Sequence, residues 1–282
     1  MKIVVDSGST KADWIMFGEQ DKCAGAFATL GLNPEVLTTE ELENRLKLHP
    51  DIQQIKNGVD RIYFYGSGCG TPRSKELMEE VLRSVFANAT YFEVKEDTYA
   101  AAYATALPGE KAIVCINGTG SNCSYFDGDV LHQAVDSLGY LAMDDCSGCD
   151  FGRQLIRDFY LKKMPEELCA SFRNLFETDT DIVKNHLYKK ENPNAYMASF
   201  LPFLLEFKKH PYCRQLLHDK VQFFIDYYIR QFPEWKTVPI HFVGSVAYLF
   251  QDEFREVITA NGLTYGKVVQ KPLDGLIKYH KH

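Results

Sequence analysis

Short unbroken apolar runs and helical apolar stripes alternate along this chain. Residues 2–5 form an apolar strand around Ile3-Val4-Val5, and after a polar turn residues 14–17 read as its hairpin partner. A strand at 61–65, a helix at 71–86 and a strand at 91–94 follow. The helix has a marked start: Thr71 is suited to cap the free backbone N–H groups, and Pro72 suits the first helical position. Leu77, Val81, Leu82 and Val85 then recur at helical spacing.

The pattern begins again further on. An apolar strand at 112–116 leads into a polar, glycine-containing turn and a strand at 123–126, and Asp127-Gly128 signals a hairpin to 130–134. Strand, small polar turn and second strand thus occur twice, near residue 1 and near residue 112. A duplicated α/β lobe explains this most simply. Residues 147–235 follow a helical period, 240–243 form one more strand entering Gly244-Ser245, and a last helix starts near Pro272.

The 282 residues suit about two domains, and a content of 45% hydrophobic and 13% aromatic residues is enough to build cores, which excludes a disordered chain. A formal charge of −7 argues against nucleic acid as a partner, although backbone dipoles can hold a small anion inside an acidic protein. No apolar run of about 18 residues is present to span a bilayer, so no membrane partner is expected. Met1-Lys2 passes straight into a strand without a signal-peptide pattern, and the eight cysteines are scattered. The expectation is a cytoplasmic protein with reduced thiols.

Candidate chemistry sits in the two turns. Asp6-Ser7-Gly8-Ser9-Thr10-Lys11 joins the first two strands. Small residues there let backbone N–H groups and hydroxyls approach an anion, Lys11 adds positive charge, and Asp6 could hold a hydrated Mg²⁺. Its counterpart is Asn117-Gly118-Thr119-Gly120-Ser121-Asn122, where two glycines flank a threonine in a tight loop whose N–H groups can converge on phosphate oxygens. Either turn alone reads equally as an ordinary hairpin. Two of them, one in each half, fit a phosphate chain clamped between two lobes. The P-loop spacing G-x-x-x-x-G-K-[ST] is absent from the chain.

With these motifs the chain resembles the BadF/BadG/BcrA/BcrD-type ATPase family, and within it the N-acetylglucosamine kinase-like proteins. The resemblance runs from end to end through VDSGSTKADW at 5–14, GLNP at 31–34, YFYGSGC at 63–69, INGTGSNC at 116–123, LGYLAMDD at 138–145, HFVGSVA at 241–247 and PLDGLIKYH at 272–280. It implies an α/β fold of two actin-like (ribonuclease H-like) lobes with the active site in the cleft between them. The lobes are expected at 1–111 and 112–282, with a helical insertion in the second and the final helix returning to the first.

By position, the resemblance implies that Asp6 holds the metal through water. Ser9, Thr10 and Lys11 then form the first phosphate loop, Gly118, Thr119 and Gly120 the second, and Gly244 and Ser245 pack against the nucleoside. Asn33 matches the residue that reaches sugar hydroxyls, and Asp97 matches the catalytic aspartate. Asp97 is equally placed as a plain cap of the Ala-rich helix 98–106, and both roles are compatible. A carboxylate at a helix N-terminus is kept ionised by the dipole and can accept a proton from a bound hydroxyl.

Where the family reads G-D-E-G-S, this chain has Met143-Asp144-Asp145-Cys146-Ser147. The acid that binds sugar hydroxyls in the family, here Asp144, is kept, and both glycines are replaced, which bears on the substrate. Cys146-Ser147-Gly148-Cys149 is a C-x-x-C without the second pair that a structural zinc site needs, and its cysteines read as small residues in place of glycine and alanine. Gly66-Ser67-Gly68-Cys69-Gly70 lacks dinucleotide spacing and reads as a loop near the sugar. His280 and His282 are expected at the surface.

The expected activity is ATP- and Mg²⁺-dependent phosphorylation of a small sugar, by resemblance an N-acetyl amino sugar at its 6-hydroxyl, carried out by a homodimer. The alternatives are a kinase for a muramic or plain hexose derivative, and a non-catalytic ATP-binding switch.

Overall fold

The first apolar run becomes the centre of a sheet. In the computed structural model, which describes every residue except Ser9, Glu19, Asp21 and His282, strand β1 (Lys2–Ser7) has Ile3, Val4 and Val5 fully buried. Both faces of the strand are covered, which is why the run is continuous rather than alternating. On one side β1 pairs antiparallel with β2 (Lys11–Phe17), and β2 with β3 (Cys23–Leu30). On the other it pairs parallel with β4 (Arg61–Gly66), and β4 with β5 (Tyr91–Glu96).

Helices α1 (Thr39–Lys47), α2 (Pro50–Ile55), α3 (Pro72–Val85) and α4 (Asp97–Thr105) supply the covering. Ile3, Val5, Trp14, Ile62 and Phe64 share a core with Leu42 and Leu46 of α1 and Val81 and Leu82 of α3. Val4, Ile15 and Tyr65 project to the opposite face, where they meet Ala100 of α4 and Leu276.

The chain divides into two units, Met1–Ala104 with the segment from Pro272, and Thr105–Lys271. The second unit repeats the sheet. Its central strand β6 (Ala112–Asn117) pairs antiparallel with β7 (Ser121–Phe126), and β7 with β8 (Leu131–His132). A helical stretch follows, with α5 (Gly148–Tyr160), α6 (Glu166–Leu175), α7 (Thr180–Tyr188), α8 (Pro193–Ala198), α9 (Leu201–Glu206) and α10 (Pro211–Tyr227). The chain then returns to the sheet with β9 (Ile240–Val243), parallel to β6, and after α11 (Ser245–Leu249) and α12 (Gln251–Ala260) with β10 (Tyr265–Val269), parallel to β9. The two sheets have the same order, β3-β2-β1-β4-β5 and β8-β7-β6-β9-β10. Helix α13 (Leu273–Tyr279) belongs to the first unit. Among the described residues, no helix is long and apolar enough to cross a membrane.

Several elements differ from the sequence expectations, each for a local reason. β3 is absent from them because CAGAFATL is small, glycine-containing and mostly exposed, with little β-branched or alternating character. β10 is short and irregular: its pairing shifts between Tyr265 and Val268, and a side chain at Gly266 would collide with the His241 ring. The strand expected at 130–134 is only Leu131–His132. Asp127 there accepts N–H bonds from Asp129 (3.0 Å) and Val130 (2.8 Å) and forms a side-chain turn that absorbs the hairpin start.

One backbone position bears on the motif that the resemblance implies. Cys146, where that motif has glycine, has φ +59°, in the left-handed region that costs an L-residue about 1–2 kcal/mol. Its N–H donates to Asp150 Oδ2 (2.9 Å) and its carbonyl accepts from Asn117 Nδ2 (3.1 Å), which fixes the turn. Cys146→Gly and Cys146→Ala both remove the buried thiol, but only glycine relieves the backbone. In urea melts the glycine variant should be the more stable by roughly 1 kcal/mol, the reverse of the usual order for unstrained positions. Equal stabilities, or alanine ahead, would mean that the left-handed turn carries no cost.

Candidate active site

The first unit gathers its candidates where the parallel strands β1, β4 and β5 end. Ser7, Gly66 and Glu96 are register partners across the three strands. Asp6 is half-buried, one residue before the end of β1, and its cross-strand partner is Asp13, so the two carboxylates lie on the same face. The β1–β2 turn closes with Gly8 N–H to the Lys11 carbonyl (2.9 Å). Ser7 is fully buried and ties the turn to the GLNP segment by accepting the Leu32 N–H (2.9 Å), and the Thr10 carbonyl accepts the Gly31 N–H (3.0 Å). Thr10 and Lys11 are exposed, and the Lys11 ammonium pairs with Asp13 at 2.5 Å. Ser9 lies outside the described residues.

Asn33 is buried, with Oδ1 accepting the Glu35 N–H (2.9 Å) and Nδ2 reaching Ser67 Oγ (3.4 Å). The Gly66–Gly70 loop closes over it: Gly68 has φ +81°, and a side chain there would strike the Asn33 amide. Gly70 borders Glu96, whose carboxylate accepts the Thr98 hydroxyl (3.3 Å).

Asp97 opens α4 at this edge. Burial, then the nearby Glu96 and Asp6 carboxylates, push its carboxyl up to about 7, while the N–H groups of Thr98 and Asp97 itself pull partly the other way. The buried Cys69 thiol is pushed up to about 12 by burial and then by Asp97 and Glu96. A carboxyl that titrates near neutrality at an edge lined by a glycine turn is suited to take a proton from an alcohol.

The second unit gathers its candidates around the β6–β7 turn. Gly118 N–H bonds the Gly120 carbonyl (3.0 Å), and the first amides of α5 dock the turn, Gly148 N–H to Gly118 O (2.8 Å) and Cys149 N–H to Thr119 O (3.1 Å). Thr119 stays exposed. Gly244, at the end of β9, has φ +123°, and a side chain there would collide with the Asn117 carbonyl. Gly118, Thr119 and Gly120 are therefore brought together with Gly244 and Ser245, the first residue of α11. Asp144 has its carboxylate against the same turn: Oδ1 accepts the Ser121 N–H (3.2 Å), and a Cβ on Gly120 would lie 2.7 Å from Oδ2. Burial raises its carboxyl above the ordinary range.

Several residues that hold these groups escape sequence reasoning. Asn117 stands directly before Gly118, is fully buried, and spans to Cys146. The Asp145 carboxylate accepts the Tyr228 hydroxyl (2.7 Å). Asp150, also buried, meets Lys220 Nζ at 2.8 Å and Arg153 Nη2 at 3.2 Å. Ser7, Glu96 and Asn117 adjoin candidates in the sequence, and the hairpin register could have paired Asp13 with Asp6. Lys220 and Tyr228 arrive from far along the chain with no local signal.

Cys146 and Cys149 are buried, and burial pushes both thiols up, Cys149 to about 12. Among the described residues, no group of three or more His, Cys, Asp or Glu side chains is arranged to hold a metal ion. His280, expected at the surface, is instead buried: its ring meets the Tyr65 hydroxyl at 2.9 Å and its carbonyl accepts Lys2 Nζ at 2.5 Å. The apolar periodicity of the last helix carries it inward.

No protein-family model matches the chain. A solved structure from Porphyromonas gingivalis, of a protein provisionally named N-acetylglucosamine kinase, is 34% identical with a TM-score of 0.93, and the match covers 100% of this chain and 99% of that one. A Chromobacterium violaceum protein with the same provisional name matches at 15% identity and TM-score 0.75, covering 99% and 98% of the two chains. A ROK family glucokinase from Streptomyces griseus, solved with glucose and AMPPNP, matches at 12% identity and TM-score 0.55, again covering 99% and 98%. The last two likenesses speak to the fold alone. The first, one-third identical over essentially the whole of both chains, goes further: the chain belongs to the N-acetylglucosamine kinase-like family of ATP-dependent sugar kinases, which have the actin-like fold.

Proposed function

We propose that the chain transfers the γ-phosphoryl group of ATP to the 6-hydroxyl of an N-acetyl amino sugar, with N-acetylglucosamine as the leading acceptor. The order of its motifs supports a place among the BadF/BadG/BcrA/BcrD-type ATPases. The provisional name of the Porphyromonas gingivalis protein supports the sugar. The observation that carries the reading is Asp97, a carboxyl raised to about 7 at the strand edge that also holds Asp6 and the first glycine turn.

In this reading Asp97 accepts the hydroxyl proton while the sugar oxygen forms its bond to the γ-phosphorus. The bond from that phosphorus to the β–γ bridging oxygen breaks, and ADP leaves. Thr10 and Thr119, exposed on the two glycine turns, each offer a hydroxyl to phosphate oxygens, and Asn33 holds a sugar hydroxyl. Gly244 and Ser245 border the nucleoside, and Asp144 meets the sugar as the family motif implies. Mg²⁺ fits the acid-rich edge, because it keeps most of its water and needs few carboxylates; Asp6 would hold it through water, and the ion would neutralise phosphate charge.

Asp97→Asn keeps the shape of the side chain but removes the base. Coupled-assay turnover with N-acetylglucosamine should fall about 10²–10⁴-fold, with ATP affinity close to wild type. A base acts only when ionised, so wild-type kcat/KM for the sugar should rise with pH through about 7 and fall on the acid side. Stability runs the other way. The native carboxyl binds its proton more tightly than the unfolded one, so wild type loses stability as pH climbs from about 4 through about 7, and the asparagine variant does not. An Asn variant as fast as wild type would reduce Asp97 to a helix cap.

The phosphate turns have their own test. Mg-ATP should raise the melting temperature by ligand linkage. Thr10 and Thr119 are exposed, so Thr10→Val and Thr119→Val leave the cores intact. Each should need about tenfold more ATP for the same rise, the loss expected for a hydrogen bond to a charged group. Undiminished stabilisation in both variants would remove the two turns from nucleotide binding.

A further inference from the structure

The PLDGLIKYH motif at 272–280 contains none of the groups given a role above, yet it makes a tight backbone contact within the first unit. Gly275, on α13, packs directly on Ala104 of α4: a Cβ there would lie 2.5 Å from Ala104 Cβ and 2.7 Å from its carbonyl oxygen, and closer still to its Cα. No side chain larger than hydrogen fits between the two helix backbones. Beside this contact the Tyr279 and Tyr103 rings stack with centroids 4.1 Å apart and planes within 4°. Tyr103 is also the acceptor for Lys95 Nζ (2.9 Å) on β5.

The far end of the helix is anchored separately. The His280 carbonyl receives the buried Lys2 ammonium from β1, and its ring meets the Tyr65 hydroxyl from β4. Leu276 lies between, in one cluster with Val4, Tyr65 and Ala100. Helix α13 thus presses α4 onto the sheet while it is itself held by β1 and β4.

α4 is a single nine-residue helix, and Asp97 is its first residue. Ala104 stands seven residues on, about 10 Å along the same axis. A short rigid helix pinned at one end has little freedom at the other, so what fixes Ala104 also fixes Asp97. We propose that Gly275 and Tyr279 are positioning residues for Asp97, with α13 acting as the clamp that sets the height of α4 above the sheet. The proposal rests on the reading of Asp97 as the base.

Gly275→Ala and, independently, Tyr279→Ala in the full-length protein test it. Lifting α4 opens Asp97 to water. In ¹³C carboxyl titrations, with the Asp97 signal identified by its loss in Asp97→Asn, the midpoint should move from about 7 toward the ordinary 3.8. In the coupled assay kcat should fall about tenfold or more, with the KM for ATP within about twofold, as misplacement of a reacting group predicts. A lowered melting temperature with the Asp97 midpoint and kcat unchanged would overturn the proposal and leave α13 as a stability element only. If Gly275→Ala does not fold, Tyr279→Ala, which adds no atoms, decides alone. If wild type turns over no sugar, the functional reading fails, while the titration still decides the clamp.

Discussion

The central strands of both units are covered on both faces, and this constraint decides where chemistry can sit. Within the covered stretch a polar side chain has no partner, so β1 runs Ile3-Val4-Val5 and β6 runs Ala112-Ile113-Val114-Cys115. The candidate groups stand where the strands leave their cover: Asp6 and Ser7 at the end of β1, Glu96 at the end of β5 with Asp97 after it, Asn117 at the end of β6, Gly244 after β9. All of these are carboxyl ends of parallel strands, the edge at which open α/β sheets bind ligands. Because the sheet is built twice, the chain has two such edges, each entered by a glycine turn.

The two edges share a topology and differ in what stabilises them. Asp6, Asp13, Glu96 and Asp97 crowd the first, and its exposed Lys11 is drawn to Asp13. Burial, and then like charge from Glu96 and Asp6, holds the Asp97 carboxyl above its ordinary range. The second edge is held by backbone. The first amides of α5 are spent on the carbonyls of Gly118 and Thr119, and Asp150, with Lys220 and Arg153 around it, anchors the start of that helix. One edge is therefore crowded with carboxylates, the other built to hold a turn in a fixed shape.

Much of this was legible from residue order. The duplicated strand–turn–strand unit, the α3 cap at Thr71 and the turn at Gly118 follow from local rules, and the structure has a capping box at Thr71 with Ser74. The α1 start is equally written in Thr38 and Glu41, a reciprocal cap. What the sequence conceals is of two kinds. β3 and β10 carry no periodic signal because an exposed edge strand of small residues and a bulged strand with a central glycine have none. Lys220 on α10 and Tyr228 just after it reach Asp150 and Asp145 only because this stretch folds back beside the start of α5, a placement that no spacing rule encodes.

Met143 and Cys146, which stand where the resemblance implies glycines, have unequal consequences. At Cys146 the left-handed turn costs about 1–2 kcal/mol, and the hydrogen bonds to Asp150 and Asn117 do not offset it, since a glycine would make the same bonds. The offset is the thiol itself, fully buried in the core of the second unit and worth on the order of 1 kcal/mol as a small apolar group. The exchange is close to neutral and leaves the turn where a glycine would put it, so Asp144 keeps its place against Gly120. Met143 is different. It is half-buried, and its side chain lines an open concavity with Ser121, Asn122, Asp144 and Tyr228, where a glycine would contribute nothing. A bulky thioether beside Asp144 therefore reshapes the space this carboxylate faces, which the replacement at 146 leaves as it was.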